Sequence, residues 1–174
     1  MTQRLPQNYF RSNNSVYLAQ DHLGKTLVRR FEDGREIRSK ITETEAYFGT
    51  DDLASHASKG KTARTELMFG DGGSIYVYLI YGKYWLLNFV TGTAGVPEAV
   101  LIRGIEQVTG PGRIGTLLEL DRSFYGEDLA TSDRLWVENS DLEGVVTTGP
   151  RVGVDYAGEI WKNMPWRFML KAAR

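Results

Sequence analysis

A chain of 174 residues, 41% hydrophobic and 25% charged, with a formal net charge of −1, fits one globular domain spanning 1–174 with a core of its own. No apolar run reaches the length needed to span a bilayer, and the early polar stretch holding Arg4, Asn8, Arg11, Asn13 and Asn14 has no secretory apolar region, so a soluble protein with no membrane association is expected. The lack of cysteine excludes a disulfide framework, a thiolate metal site and a cysteine nucleophile, and His22 and His56 lie too far apart for a local ligand motif, which removes zinc deaminase chemistry.

The charge is unevenly spread. Residues 119–143 carry eight acids against Arg122 and Arg134, a local balance of −6 that leaves +5 for the remainder. Basic residues gather at Lys25, Arg29, Arg30, Arg35, Arg38 and Lys40 and again at Lys59, Lys61 and Arg64, so the pattern predicts one basic and one acidic face, against the plainer reading of ordinary solvated charge.

In chain order, Asn14–Leu23 reads as a helix with Val16, Ala19, His22 and Leu23 on one face and Gly24 as terminator. Strands are predicted over Lys25–Phe31 and Glu36–Tyr47, joined by the tight-turn dipeptide Asp33-Gly34. Leu53–Glu66 reads as a loop or short helical turns able to carry site residues. Ser74–Ile80 and Tyr84–Val90 form a second predicted hairpin through Tyr81-Gly82-Lys83, and Glu98–Ile105 a further strand. Pro111 opens a helix over Gly112–Leu120; beyond Asp121 the pattern assigns little.

Thr42-Glu43-Thr44-Glu45-Ala46-Tyr47 places two carboxylates at i and i+2, on one strand face roughly 7 Å apart. That spacing suits a paired-carboxylate hydrolase, and equally a solvated strand face. Tyr76, Tyr78, Tyr81 and Tyr84 are dense enough to suggest a platform for something flat, although any one tyrosine is more often core. On a strand Tyr76 and Tyr78 oppose Ile75, Val77 and Leu79, so at least one set is expected in the core, while Tyr81 at the turn is poorly placed for burial and suits a probe or wedge. Asp71-Gly72-Gly73-Ser74 lacks the Lys-Ser/Thr pair and the helix of a phosphate loop and reads as a turn. With no nucleophile elbow and no metalloprotease helix, hydrolysis by activated water is what the residues leave.

Over nearly its whole length the chain resembles the alkyladenine (3-methyladenine) DNA glycosylases of the eukaryotic-type fold. The matching stretches are Leu18–Gly24 with Leu27–Arg30, Thr42–Gly49, His56, Met68-Phe69, Tyr76–Gly82 with Asn88, Gly110–Gly112 and Arg151–Val154, in agreeing order and spacing. The resemblance implies an α+β fold, a single mixed domain with a curved, mostly antiparallel sheet and peripheral helices. It implies Glu45 as the base that activates water and Arg103 as its helper, with Tyr47, Ala54, His56 and Tyr78 enclosing an extruded base, Asn88 crowding the guanine amine, and Tyr81 intercalating. Lys83, Tyr84, Lys61 and Arg64 are expected at the DNA.

The implied reaction uses no metal and no cofactor. It releases a damaged purine of the 3-methyladenine, 7-methylguanine, hypoxanthine and ethenoadenine class from double-stranded DNA and leaves an abasic site. The protein is expected as a monomer in the cytoplasm, with the nucleoid if bacterial or in the nucleus if eukaryotic. Two positions depart from the family pattern: Thr65 replaces an asparagine, and Lys83 replaces an apolar residue beside the intercalating tyrosine. A non-catalytic module stacking unpaired bases on Tyr78 and Tyr81, and a carbohydrate hydrolase using Glu43 and Glu45, are the competing readings.

Overall fold

The β-branched and aromatic runs pair as antiparallel strands in the computed structural model, which describes residues 2–173. In chain order the elements are α1 (Gln7–Arg11), α2 (Ser15–Asp21), β1 (Thr26–Arg30), β2 (Glu36–Phe48), β3 (Ile75–Ile80), β4 (Tyr84–Val90), β5 (Glu98–Ile105) and β6 (Val108–Thr109). They continue with α3 (Pro111–Leu117), β7 (Leu135–Glu138), β8 (Val145–Gly149), α4 (Gly158–Lys162) and β9 (Arg167–Lys171). The main sheet runs β3-β4-β5-β2-β1-β7, with β6 beside β5 and the β8–β9 ribbon beside β2. The expected α+β architecture with a mostly antiparallel sheet and peripheral helices is what forms.

Strand β2 is the spine. Its first half pairs with β1, from Glu36↔Arg30 to Lys40↔Thr26. Its second half lies between β5 and β9, with register shifts on either side of Glu43. The Asp33-Gly34 turn closes β1 onto β2 as predicted: Gly34 takes φ +88° and the Asp33 carboxylate accepts from the Arg35 N–H at 2.9 Å. Helix α2 also forms as read, with the Asn14 side chain capping Tyr17 N at 2.9 Å. Gly115 lets α3 lie directly on β4, because a Cβ there would collide with the Trp85 carbonyl.

The sheet is buried on both faces. Ile75, Val77, Leu87, Phe89, Val100 and Ile102 point into the main core beneath Leu18 and Ala19 of α2 and Ile114 of α3. The opposite face carries Tyr76, Val90 and Ala99 packed with Ala57 and Met68. The tyrosine face of β3 is therefore not a simple choice between core and surface: Tyr76 and Ile75 are both buried, and exposure begins only at Leu79.

The first basic cluster does not form a face apart from the acidic segment. The basic β1–β2 hairpin and the acidic 119–143 segment are neighbours, so Arg38 pairs with Glu138, Lys40 with Glu143 and Arg35 with Glu119, while Arg29 is buried and donates to the Leu118 carbonyl. Opposite charges in a sequence of near-zero net charge find each other across β1, β2 and β7 instead of segregating.

His22 closes the α2 end of the core against Tyr9, Phe10 and Phe89. Its Nδ1 lies 2.7 Å from the Leu18 carbonyl, and its Nε2 is buried without a partner among the described residues. Burial holds its pKa at about 4, below the usual 6.5, against a smaller upward pull from Leu18. The unfolded chain therefore takes up this proton first, so the stability tied to neutral His22 is complete above pH 6.5 and is lost as pH falls toward 4. Between pH 7 and pH 4 the wild type is expected to lose about 3 kcal/mol more than His22→Phe, measured by denaturant unfolding at each pH. Equal losses in the two proteins would contradict this.

Candidate active site

Period-two alternation along four adjacent strands puts a polar, aromatic set on the sheet face opposite the main core. One rung runs Glu45↔Leu101↔Asn88↔Tyr76 across β2, β5, β4 and β3. Two residues along from it, on the same face, lie Tyr47, Arg103 and Tyr78. Over this floor fold the segment Ala54–His56, which enters a short 3₁₀ turn at His56, and the segment Val152–Tyr156. Together they enclose a cavity of about 410 Å3, and Tyr81 and Pro111 stand at its edge.

Glu45 lies at the bottom with no solvent exposure. Its Oε1 accepts from the Tyr47 hydroxyl at 2.9 Å and its Oε2 from the Val152 N–H at 2.6 Å, with Arg103 Nε 3.7 Å away. Desolvation holds its carboxyl above the usual carboxylate range, while Arg103, the Val152 N–H, Tyr47 and Arg151 oppose that rise. The same burial, together with the nearby Glu45 charge, keeps the Tyr47 hydroxyl firmly protonated. The arrangement is a fixed carboxylate of raised basicity facing a cavity.

The walls are aromatic. The His56 ring meets Tyr78 edge-on at 4.8 Å, and Tyr78 lies 5.6 Å from Tyr76. Desolvation first, then Arg64 and Lys59, push the His56 pKa down, so a neutral imidazole presents one donor and one acceptor near pH 7. Asn88 is buried and spends one amide hydrogen weakly on Leu86 O at 3.4 Å. Tyr81 is 88% exposed and has φ +50°, followed by Gly82 at +66°, so a bulky residue occupies a left-handed turn that most side chains avoid.

The structure thus gathers Glu45, Arg103, Tyr47, Ala54, His56, Tyr78, Asn88 and Tyr81 around one cavity. It leaves the other four outside the lining. Arg64 lies over the Tyr78 ring at 5.1 Å and Lys83 over Tyr84 at 4.7 Å. Lys61 sits 3.9 Å from Glu66, and half-buried Tyr84 covers Gly112 of α3.

Sequence reasoning missed the clamp that holds the two overlying segments. Arg151 and Asp52, both fully buried, form a bidentate pair at 2.6 and 2.8 Å, and Arg151 also donates to the Ala46 carbonyl at 3.0 Å. Asp52 in turn accepts from Phe48 N and Ala54 N, each at 3.1 Å. The Tyr156 hydroxyl, also missed, donates to the Ala54 carbonyl at 2.7 Å. Arg151 and Val152 stood inside a matching stretch, which was the one available signal. Among the described residues no group of three or more His, Asp or Glu side chains is placed to hold a metal ion.

Residues 9–174 match the family model of methylpurine-DNA glycosylase. The chain belongs to the methylpurine-DNA glycosylase family. A relative from Methanocella arvoryzae, named "Putative 3-methyladenine DNA glycosylase", is 42% identical over 94% of this chain and 90% of its own. Relatives of the same printed name from Anaeromyxobacter dehalogenans and Legionella pneumophila are 43% and 40% identical, over 98% and 97% of this chain and 83% and 94% of theirs. Membership of the methylpurine-DNA glycosylases makes the chain a DNA N-glycosylase, and among the described residues no helix is long and apolar enough to cross a membrane.

Proposed function

We propose that the chain hydrolyses the N-glycosyl bond of damaged purines in double-stranded DNA, acting alone as a monomer and without lyase chemistry. The observation that carries this reading is the buried Glu45 carboxylate at the floor of an aromatic cavity beside Arg103. In this reading Glu45 removes a proton from water as it attacks the sugar C1′, Arg103 steadies that water, and the purine leaves with the bonding electrons.

Tyr47, Tyr78 and His56 enclose the extruded base, and tyrosine faces favour the positive charge of an alkylated purine by about 0.5 to 2 kcal/mol. Ala54 and His56 hold its edge, and Asn88 crowds an exocyclic amine such as that of guanine. Tyr81 fills the gap left in the stack, offsetting part of the few kcal/mol that extrusion costs. Lys61, Arg64 and Lys83 supply positive charge to the phosphates around the cavity.

The test is release of free base from methylated, deaminated and undamaged duplexes without added metal. Release from damaged duplex alone is expected; binding with no release from any substrate would leave the stacking module instead. Tyr81→Ala is expected to slow single-turnover release at least about tenfold without lowering the unfolding temperature, because an exposed, left-handed tyrosine contributes nothing to folding that alanine lacks. An unchanged rate would remove Tyr81 from the reaction.

A further inference from the structure

Two carboxylates compete for Arg103, and the distances show which one holds it. Arg103 Nε donates to Glu43 Oε1 at 3.2 Å, whereas Glu45 Oε2 stands 3.7 Å from the same nitrogen. Arg167 of β9 grips the same Glu43 oxygen through Nη1, also at 3.2 Å. The register shift between Glu43↔Gly104 and Thr44↔Ile102 leaves Arg103 without an opposite residue on β2, beside Glu43, which also pairs with Met169 on β9. At Gly104 a side chain would press on Glu43 and Thr42, so the glycine keeps that position clear. The side chains of Glu43 and Arg103 are only 12% and 15% exposed, so solvent screens the pair little.

We propose that Glu43 is a positioning residue: by holding Arg103 Nε, with Arg167 behind it, Glu43 keeps the guanidinium from closing onto Glu45. Glu45 then keeps only the longer contact to Arg103, at 3.7 Å. Without the Glu43 carboxylate at that distance, Arg103 relaxes toward Glu45, the two form a full ion pair, and the base becomes weaker. Glu45 is otherwise faced by Tyr47 on its own strand, Tyr78 on β3, and Arg151 and Tyr156 from the overlying segment, none of which Glu43 touches. This inference rests on the hydrolytic reading of Glu45.

The test follows the Glu45 carboxyl directly, by 13C NMR titration of the free protein, in wild type, Glu43→Gln and Glu43→Asp, with thermal unfolding to establish that each folds. Glu43→Gln is expected to move the Glu45 midpoint down by about one unit. Glu43→Asp keeps the charge but falls one methylene short of Arg103, and a downward shift is expected there too. A midpoint unmoved in Glu43→Asp would overturn the positioning role, because a shift in the glutamine variant alone is a plain charge effect.

In parallel, single-turnover release from a 7-methylguanine duplex reads the base alone, since the leaving purine is already cationic. Its acid limb is expected to move down with the midpoint while the plateau falls about tenfold. A lower plateau with an unmoved limb would also overturn the proposal. If the wild type released no base while the midpoint still moved, the hydrolytic reading would fail and the hold of Glu43 on Arg103 would stand.

Discussion

Replacing Glu45 with glutamine is expected to slow release of a methylated purine by about 10²- to 10⁴-fold, the usual contribution of a general base, while DNA binding is kept. The amide has nearly the size of the carboxyl but cannot take a proton from water. It also turns an N–H group toward either the Val152 N–H or the Tyr47 hydroxyl, both of which donate to the carboxylate. In the wild type, release on a cationic base should fall off in acid at a pH above that of an ordinary glutamate, because desolvation raises the Glu45 pKa and the base form is lost as pH drops through it. Single-turnover rates at saturating enzyme, matched with binding isotherms, separate the two effects. A glutamine variant within tenfold of the wild type would sink the assignment.

The largest effect on stability is expected at the Arg151–Asp52 pair. Removing one partner, as in Asp52→Ala or Arg151→Met, leaves a charge buried with no solvent access and costs about 3 to 5 kcal/mol. For a chain of 174 residues that is a fall of roughly 6 to 20 °C in unfolding temperature. The double replacement Asp52→Leu with Arg151→Met should recover part of the loss, because two apolar groups leave no orphan charge in the same space. Additive losses in the double variant would show that the pair is not energetically coupled. Base release should suffer beyond what unfolding explains, since the pair joins the segment carrying Ala54 and His56 to the one carrying Val152.

What the sequence made legible was local or periodic. Asp33-Gly34 fixed one hairpin because its chemistry suits a positive φ, and the i, i+2 spacing of Glu43 and Glu45 put both on one face of β2, where Arg103 lies near each. The placement of Arg103, His56 and Asn88 around one cavity came from family resemblance, since no spacing rule links β2 to residues on three other segments. Tertiary pairings were out of reach. Arg151 and Asp52 lie 99 residues apart, and neither signals burial by its residue type. Helix α1, only five residues with no side-chain cap, gave no periodic signal, and β7, β8 and β9 are strands of only four or five residues, β7 within the acidic stretch. The two-faced burial of β3 was hidden because alternation distinguishes faces but does not say that both are covered.

Strand β2 carries Glu43 and Glu45 where it is flanked on both sides, by β5 and by β9. Its amides there should be among the last in the molecule to exchange with deuterium, while those of residues 53–62 and 152–158, held by fewer backbone bonds, exchange early. Such a pattern would divide the labour between a slow interior strand that keeps the reacting carboxylate in one place and outer segments that side-chain bonds hold over the cavity. Tightening the outer segments would then change how readily a base enters, while leaving the register of the reacting groups as it is.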